Sequence, residues 1–171
     1  DEIRDDILEN GVSDRGVFTQ HYDTEALDAS LLLIPLLRFL PTTDWRVRAT
    51  VLAIADELTV DGLVQRYRTE VTDDGLHGEE GTFTICSFWL VSALVEIGEV
   101  SRARHLCERL LSFASPLHLY AEEIEPRTGR HLGNFPQAFT HLALINAVVH
   151  VIRAEEEADG SGMFQPANAP M

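Results

Sequence analysis

The sequence predicts an all-α protein whose helices form two layers, one inside the other. Three observations carry this. Six segments show helical apolar periodicity, two kinds of helix alternate strictly along the chain, and short and long connections alternate with them.

Residues 1 to 10 are polar with a thin apolar stripe and read as a first outer helix. Residues 26 to 40 are apolar around most of the circumference, through Leu31-Leu32-Leu33-Ile34-Pro35-Leu36-Leu37, and read as an inner helix that wants burial on all sides. Residues 44 to 58 are amphipathic, with Val47, Val51, Ile54 and Leu58 facing away from Arg46 and Arg48. Residues 82 to 98 are again apolar throughout, as in Phe88-Trp89-Leu90-Val91. Residues 101 to 114 set Ala103, Leu106 and Leu110 against Arg102 and Arg109, and residues 136 to 153 close the series as an apolar helix containing Leu142-Ala143-Leu144-Ile145.

Inner-to-outer connections are short, at Pro41-Thr42-Thr43 and Gly98-Glu99-Val100, with Thr43 and Ser101 as candidate N-caps. Outer-to-inner connections are long, at 11 to 25, 59 to 81 and 115 to 135, and up-and-down helices bring all three to the same end. Long loops gathered on one rim of a rigid scaffold are where function is ordinarily built. Residues 1 to 154 form the helical region, and 155 to 171, acidic and then rich in Gly, Ser, Pro and Ala, read as a mobile tail. Three hairpins make an open arc whose inner helices keep one apolar side uncovered. Either further hairpins precede this segment or the arc pairs with a second copy as a homo-oligomer; the polar helical start at Asp1, without Met, favours sequence missing upstream.

Composition narrows the partners. Thirteen basic residues, all of them Arg, face 28 acidic ones, for a formal net charge of -15. Such a surface repels nucleic acid and anionic membranes, and no apolar run reaches the ~20 residues of a membrane helix, so a soluble, cytoplasmic protein is expected. Cys86 and Cys107 sit in apolar helical stretches and read as free buried thiols. The seven histidines show no metal-ligand spacing, and no metal site is expected.

Chemistry concentrates in two loops. In 115 to 135, Pro126 and Gly129 mark a tight turn, with Leu119 to Glu125 extending into it as a short strand. Adjacent strand residues point to opposite faces, so only one of Glu122 and Glu123 can face the rim. In 59 to 81, Arg66-Tyr67-Arg68-Thr69-Glu70 precedes Asp73, Asp74, His77, Glu79 and Glu80. An Arg beside a Tyr in a cleft can hydrogen-bond sugar hydroxyls while the ring packs on a pyranose face. By composition alone, an acidic loop such as 115 to 135 is usually just solvated, and 59 to 81 reads equally well as an ordinary surface ion-pair network.

Several separated motifs, in order, resemble the carboxyl half of family 15 glycoside hydrolases: Leu27-Asp28-Ala29-Ser30-Leu31-Leu32-Leu33; Leu58-Thr59-Val60-Asp61-Gly62-Leu63; Glu80-Gly81-Thr82-Phe83-Thr84-Ile85-Cys86-Ser87-Phe88-Trp89-Leu90-Val91; Ala121-Glu122-Glu123 through Arg127-Thr128-Gly129; and Leu132-Gly133-Asn134-Phe135-Pro136-Gln137-Ala138-Phe139-Thr140-His141. The resemblance implies an (α/α)6 barrel, of which this chain holds about half, and an inverting hydrolase of terminal α-glucosidic bonds, trehalase-like in preference to glucoamylase-like. It implies Glu122 as general base, Arg66 and Tyr67 as the pair binding the non-reducing glucose, Glu70 as a supporting acidic position and Glu123 as a further substrate-binding carboxylate.

The implied substrate is an α-glucoside such as trehalose or a malto-oligosaccharide. No cofactor is needed for the chemistry, and phosphate or magnesium dependence stays open if the enzyme is of the trehalase type. The family's general acid follows a Trp, whereas Trp45 precedes Arg46 and Trp89 precedes Leu90. The acid therefore belongs to the missing amino-terminal half, and this segment alone is expected to be inactive. A reading from another class is a non-catalytic helical-hairpin scaffold that binds proteins along its inner arc, but the fixed-period repeats of solenoids are missing.

Overall fold

The computed structural model describes residues 1–70 and 81–160; Asp73, Asp74, His77, Glu79 and Glu80, and the predicted tail from residue 161 on, lie outside them. Five substantial helices stand close to where periodicity puts them: α1 (Glu2–Asn10), α3 (Trp45–Glu57), α4 (Thr84–Glu96), α5 (Val100–Ser112) and α6 (Ala138–Ala158). The last runs beyond residue 153, so Glu155 to Ala158 continue the helix.

The second segment departs from expectation. Residues 26 to 40 form a 3-10 helix at Ala29–Leu32 and a single turn, α2 (Leu33–Leu36), rather than one inner helix. Pro35 explains the break: it has no N–H to give Leu31, and its ring opposes that carbonyl in a continuous α-helix, so it fits only within a helix's first turn. At the other end Arg38 takes a positive φ of 58°. The N-caps also differ from expectation. Asp44, not Thr43, caps α3 by accepting from the Arg46 amide, and Glu99, not Ser101, precedes α5.

Helix α4 is the centre of the molecule. Cys86, Phe88, Leu90, Val91, Ala93 and Leu94 are buried on its several faces, and it packs on α2, α3, α5 and α6. The outer helices cover it with the predicted stripes: Val47, Val51, Ile54 and Leu58 are buried, as are Ala103 and Leu110. Both cysteines are free and buried, and burial pushes the Cys86 thiol up to about 12. Among the described residues no helix is long and apolar enough to cross a membrane.

The long loops carry small sheets that periodicity does not reveal. Strands β1 (Thr59–Val60) and β2 (Leu63–Val64) form a hairpin over Asp61 and Gly62, with φ of 46° and 79°. Two successive positive φ values make the mirror-image turn that matches strand twist, and Asp-Gly is its preferred sequence. Ser87 of α4 anchors this hairpin, its hydroxyl oxygen accepting from the Val64 amide at 2.9 Å. Strands β3 (Thr82–Phe83), β4 (Glu123–Ile124) and β5 (His131–Leu132) form a second antiparallel sheet, so two of the three long loops meet on one end.

Helix α6 leaves one face open. Phe139, Leu142, Ile145, Val149 and Ile152 recur at helical spacing and are between 36% and 66% exposed. Full burial of such side chains contributes about 1.5–3 kcal/mol each, so this stripe leaves roughly 5 kcal/mol unrealised, comparable to the net stability of a domain. The isolated chain should therefore self-associate, measured by light scattering against concentration, and Leu142→Glu with Ile145→Glu should disperse it. A wild-type chain that stays monomeric would show the stripe to be covered.

The β4–β5 turn supplies a pH prediction. Glu125 accepts from the Arg127 and Thr128 amides at 3.2 and 2.9 Å. Hydrogen bonding from Thr128 foremost, then the Arg127 amide and charge, holds its carboxyl below the ordinary 4.5. A carboxyl lowered by folding stabilises the turn above its ordinary range, and that contribution fades as pH falls through the lowered value. The Arg127 and Thr128 amide resonances should titrate together with a midpoint below 4.5, and Glu125→Gln should abolish the transition.

Candidate active site

Glu122 sits just before β4 on a backbone held by two helix starts. Its carbonyl accepts from the Thr84 amide at the first turn of α4, at 3.0 Å. From the first turn of α6, the Gln137 amide reaches the Tyr120 carbonyl at 2.9 Å and the Thr140 hydroxyl reaches the Ala121 carbonyl at 3.2 Å. His141, also on that turn, accepts the Tyr120 amide at Nε2, 3.3 Å away, so its Nδ1 carries the proton toward the Gln137 carbonyl at 2.7 Å. The strand expected over Leu119 to Glu125 is accordingly only Glu123–Ile124, because the backbone groups of Tyr120 and Ala121 pair with a helix end instead.

Beneath this segment the Tyr120 ring is buried. It meets Phe88 edge-on at a centroid distance of 5.6 Å, and its hydroxyl donates to the Leu110 carbonyl at 3.0 Å. Both the core helix and the outer helix thus brace the residue two positions before Glu122.

The two neighbouring carboxylates engage different partners. Glu122 Oε2 accepts from the Asn134 amide at 3.2 Å and from Asn134 Nδ2 at 3.0 Å. Glu123 Oε2 accepts from the Gly81 amide at 2.9 Å, tying the end of the loop before β3 to the sheet. Gly133, at φ 72°, lies under Glu122; a Cβ there would stand 2.8 Å from Oε2, so a side chain at 133 would push the carboxylate aside.

Arg66, Tyr67 and Glu70 come together along a polar cavity of about 580 Å3, which Gly81, Arg127 and Arg130 also line. The β1–β2 hairpin delivers them, and the Arg66 carbonyl accepts the Ala29 amide at 2.7 Å where the 3-10 helix begins. The Arg66 guanidinium lies 4.5 Å from the Tyr67 ring centre and 5.0 Å from that of Phe83, and donates to the Tyr67 hydroxyl. Of the two arginines flanking Tyr67, Arg68 turns back to the Glu57 carbonyl at the end of α3, which leaves Arg66 to face the cavity. Tyr67 is buried and Glu70 exposed.

Glu122 does not line that cavity. Phe83 and Thr84 link the two regions, since Arg66 stacks over Phe83 while Thr84 bonds the Glu122 carbonyl. Asn134, Gly133, Thr140 and His141 support Glu122, and their one signal in the sequence is that they share the run Gly133 to His141 with the start of α6. Among the described residues no three His, Cys, Asp or Glu side chains gather as metal ligands.

Comparison with known proteins agrees with this architecture. The chain is 84% identical over 171 residues to a Trehalase of Mycobacterium tuberculosis, covering all of this chain and 25% of that protein. It is 43% identical over 147 residues to a Trehalase of Thermoplasma volcanium, covering 85% of this chain and 23% of the relative. The chain therefore spans about a quarter of the length of the curated relatives it matches. A solved structure described as a wild-type glycosidase superposes with a TM-score of 0.73 at 22% identity, over 88% of this chain and 42% of that one, and shares the fold of a partial (α/α)6 barrel. The family model for glycosyl hydrolases family 15 matches residues 1–149, and the chain belongs to that family.

Proposed function

We propose that this chain is the base-bearing part of an inverting α-glucosidase that hydrolyses trehalose. The observation that carries the reading is its 84% identity, over all 171 residues, to a Trehalase. Glu122 is the general base. One of its oxygens is anchored on Asn134, which leaves Oε1 with no hydrogen-bond partner among the described residues and available to a water molecule. Arg66 and Tyr67 hold the non-reducing glucose, the guanidinium by forked hydrogen bonds and the ring by packing on the sugar, and Glu70 supports them along the cavity. Glu123, bonded to Gly81, keeps the rim in shape and borders the sugar site.

In the reaction Glu122 removes a proton from water as the water oxygen bonds to the anomeric carbon and the glycosidic bond breaks. A carboxylic acid from the rest of the enzyme protonates the departing oxygen, and the configuration inverts. Inverting pairs stand roughly 6.5–9.5 Å apart to admit the water, so acid and base can come from separate stretches of chain. The acid lies upstream of this segment, which places the segment in the carboxyl-terminal half of a cytoplasmic enzyme and makes it inactive alone. The chemistry needs no cofactor; assays with and without phosphate and magnesium report any dependence of the longer chain. Family membership sets aside the hairpin scaffold.

The test is a hybrid in which this segment replaces the matched stretch of the Mycobacterium tuberculosis relative. It should hydrolyse trehalose in preference to maltose and isomaltose, releasing sugar of inverted configuration. Glu122→Gln should lower kcat by about three orders of magnitude or more with an unchanged thermal unfolding transition, as expected for loss of a general base. Near-normal turnover in that variant would exclude the assignment. Arg66→Ala should act chiefly on KM.

A further inference from the structure

The geometry points to Asn134 as the positioning residue of the Glu122 carboxylate, the group that decides which of its two oxygens meets water; this rests on Glu122 being the base. Three hydrogen bonds join the two residues. The Glu122 amide donates to the Asn134 carbonyl at 2.9 Å, and the Asn134 backbone and side-chain amides both donate to Glu122 Oε2, at 3.2 and 3.0 Å. The backbone pair alone would fix the chain. The side-chain amide does something else, because it reaches past the backbone to the oxygen already bound there.

Two donors on one oxygen, with none on the other from any described residue, make the carboxylate asymmetric. Turning the carboxylate about its terminal bond would break both bonds, so its plane is held with the other oxygen, Oε1, on the open side. The Gly133 backbone completes the seat, since it lies too close to Oε2 for any side chain to intervene. The amide must present Nδ2 rather than Oδ1 to the ionised carboxylate, because two acceptors would repel. Its role therefore depends on a donor at this position and not on its shape.

That distinction makes the inference testable. Asn134→Asp keeps the shape, removes the donor and sets a second negative charge beside Glu122. In the hybrid enzyme, Asn134→Ala should lower kcat about tenfold to a hundredfold, the range expected for losing a hydrogen bond to a charged group, with KM within about twofold. Asn134→Asp should lose at least as much, and its acidic limb should move to higher pH, because a neighbouring negative charge disfavours ionisation of a carboxyl. A role in shape alone predicts the reverse order, with Asp tolerated and Ala not.

Glu122→Gln separates this inference from the reading beneath it. If that variant is inactive while Asn134→Asp keeps the wild-type kcat and pH profile, the positioning role is overturned and the base assignment stands. If Glu122→Gln retains turnover, the base assignment itself fails. Should Asn134→Ala unfold, the isosteric Asp variant alone decides.

Discussion

The site depends on one constraint: the backbone from Tyr120 to Glu122 is strung between the first turns of two helices. Amides at a helix start have no partner within the helix. In α4 the Thr84 amide finds the Glu122 carbonyl, and beside α6 the Gln137 amide finds that of Tyr120. Gln137, the N-cap of α6, and Thr140 and His141 in its first turn hold this segment, at spacings of three and four on one face. Moving either helix start would carry Glu122 with it.

The layered helices were legible because burial writes a long period into sequence. Residues 44 to 58, 82 to 98 and 101 to 114 correspond closely to α3, α4 and α5. In residues 26 to 40 the leucines on both sides of Pro35 carry the apolar pattern of a buried helix across the very residue that interrupts it. The sheets left no such trace. Their strands are two residues long, too short to display a period, and β3 finds its partner forty residues further along the chain. Only the Asp61-Gly62 turn leaves a local mark, because Asp-Gly favours the turn that closes a two-residue hairpin.

The site was legible in a different way. Composition could not separate Glu122 from the other acidic residues of its loop; only its place in an ordered set of motifs did. Asn134 was hidden among them, since an Asn before a Pro-containing turn reads as turn chemistry. What gives it meaning is a contact with Glu122 across twelve residues, a distance at which local pattern is silent. The surface arginines are the opposite case: Arg46, Arg48, Arg102 and Arg104 all sit in ion pairs. The exposed ones, at Arg102 and Arg104, contribute about 0–1 kcal/mol each, so the burial of α4 outweighs them in holding the fold.

On the proposed reading, α6 joins the open apolar face of this segment to its chemistry. Its first turn clamps the chain before Glu122, while its open stripe of Phe139, Leu142, Ile145, Val149 and Ile152 is the surface that further helices would cover. A helix packed along its length moves as one body, so whatever covers that stripe sets the height and rotation of the first turn. The acid and base of an inverting enzyme must stand at a separation that admits one water, and a misplacement of about 1 Å can cost a hundredfold in rate. Packing along α6 and the distance between two carboxylates are then a single constraint. On that reading, the packing that holds α6 also sets the gap in which water is activated.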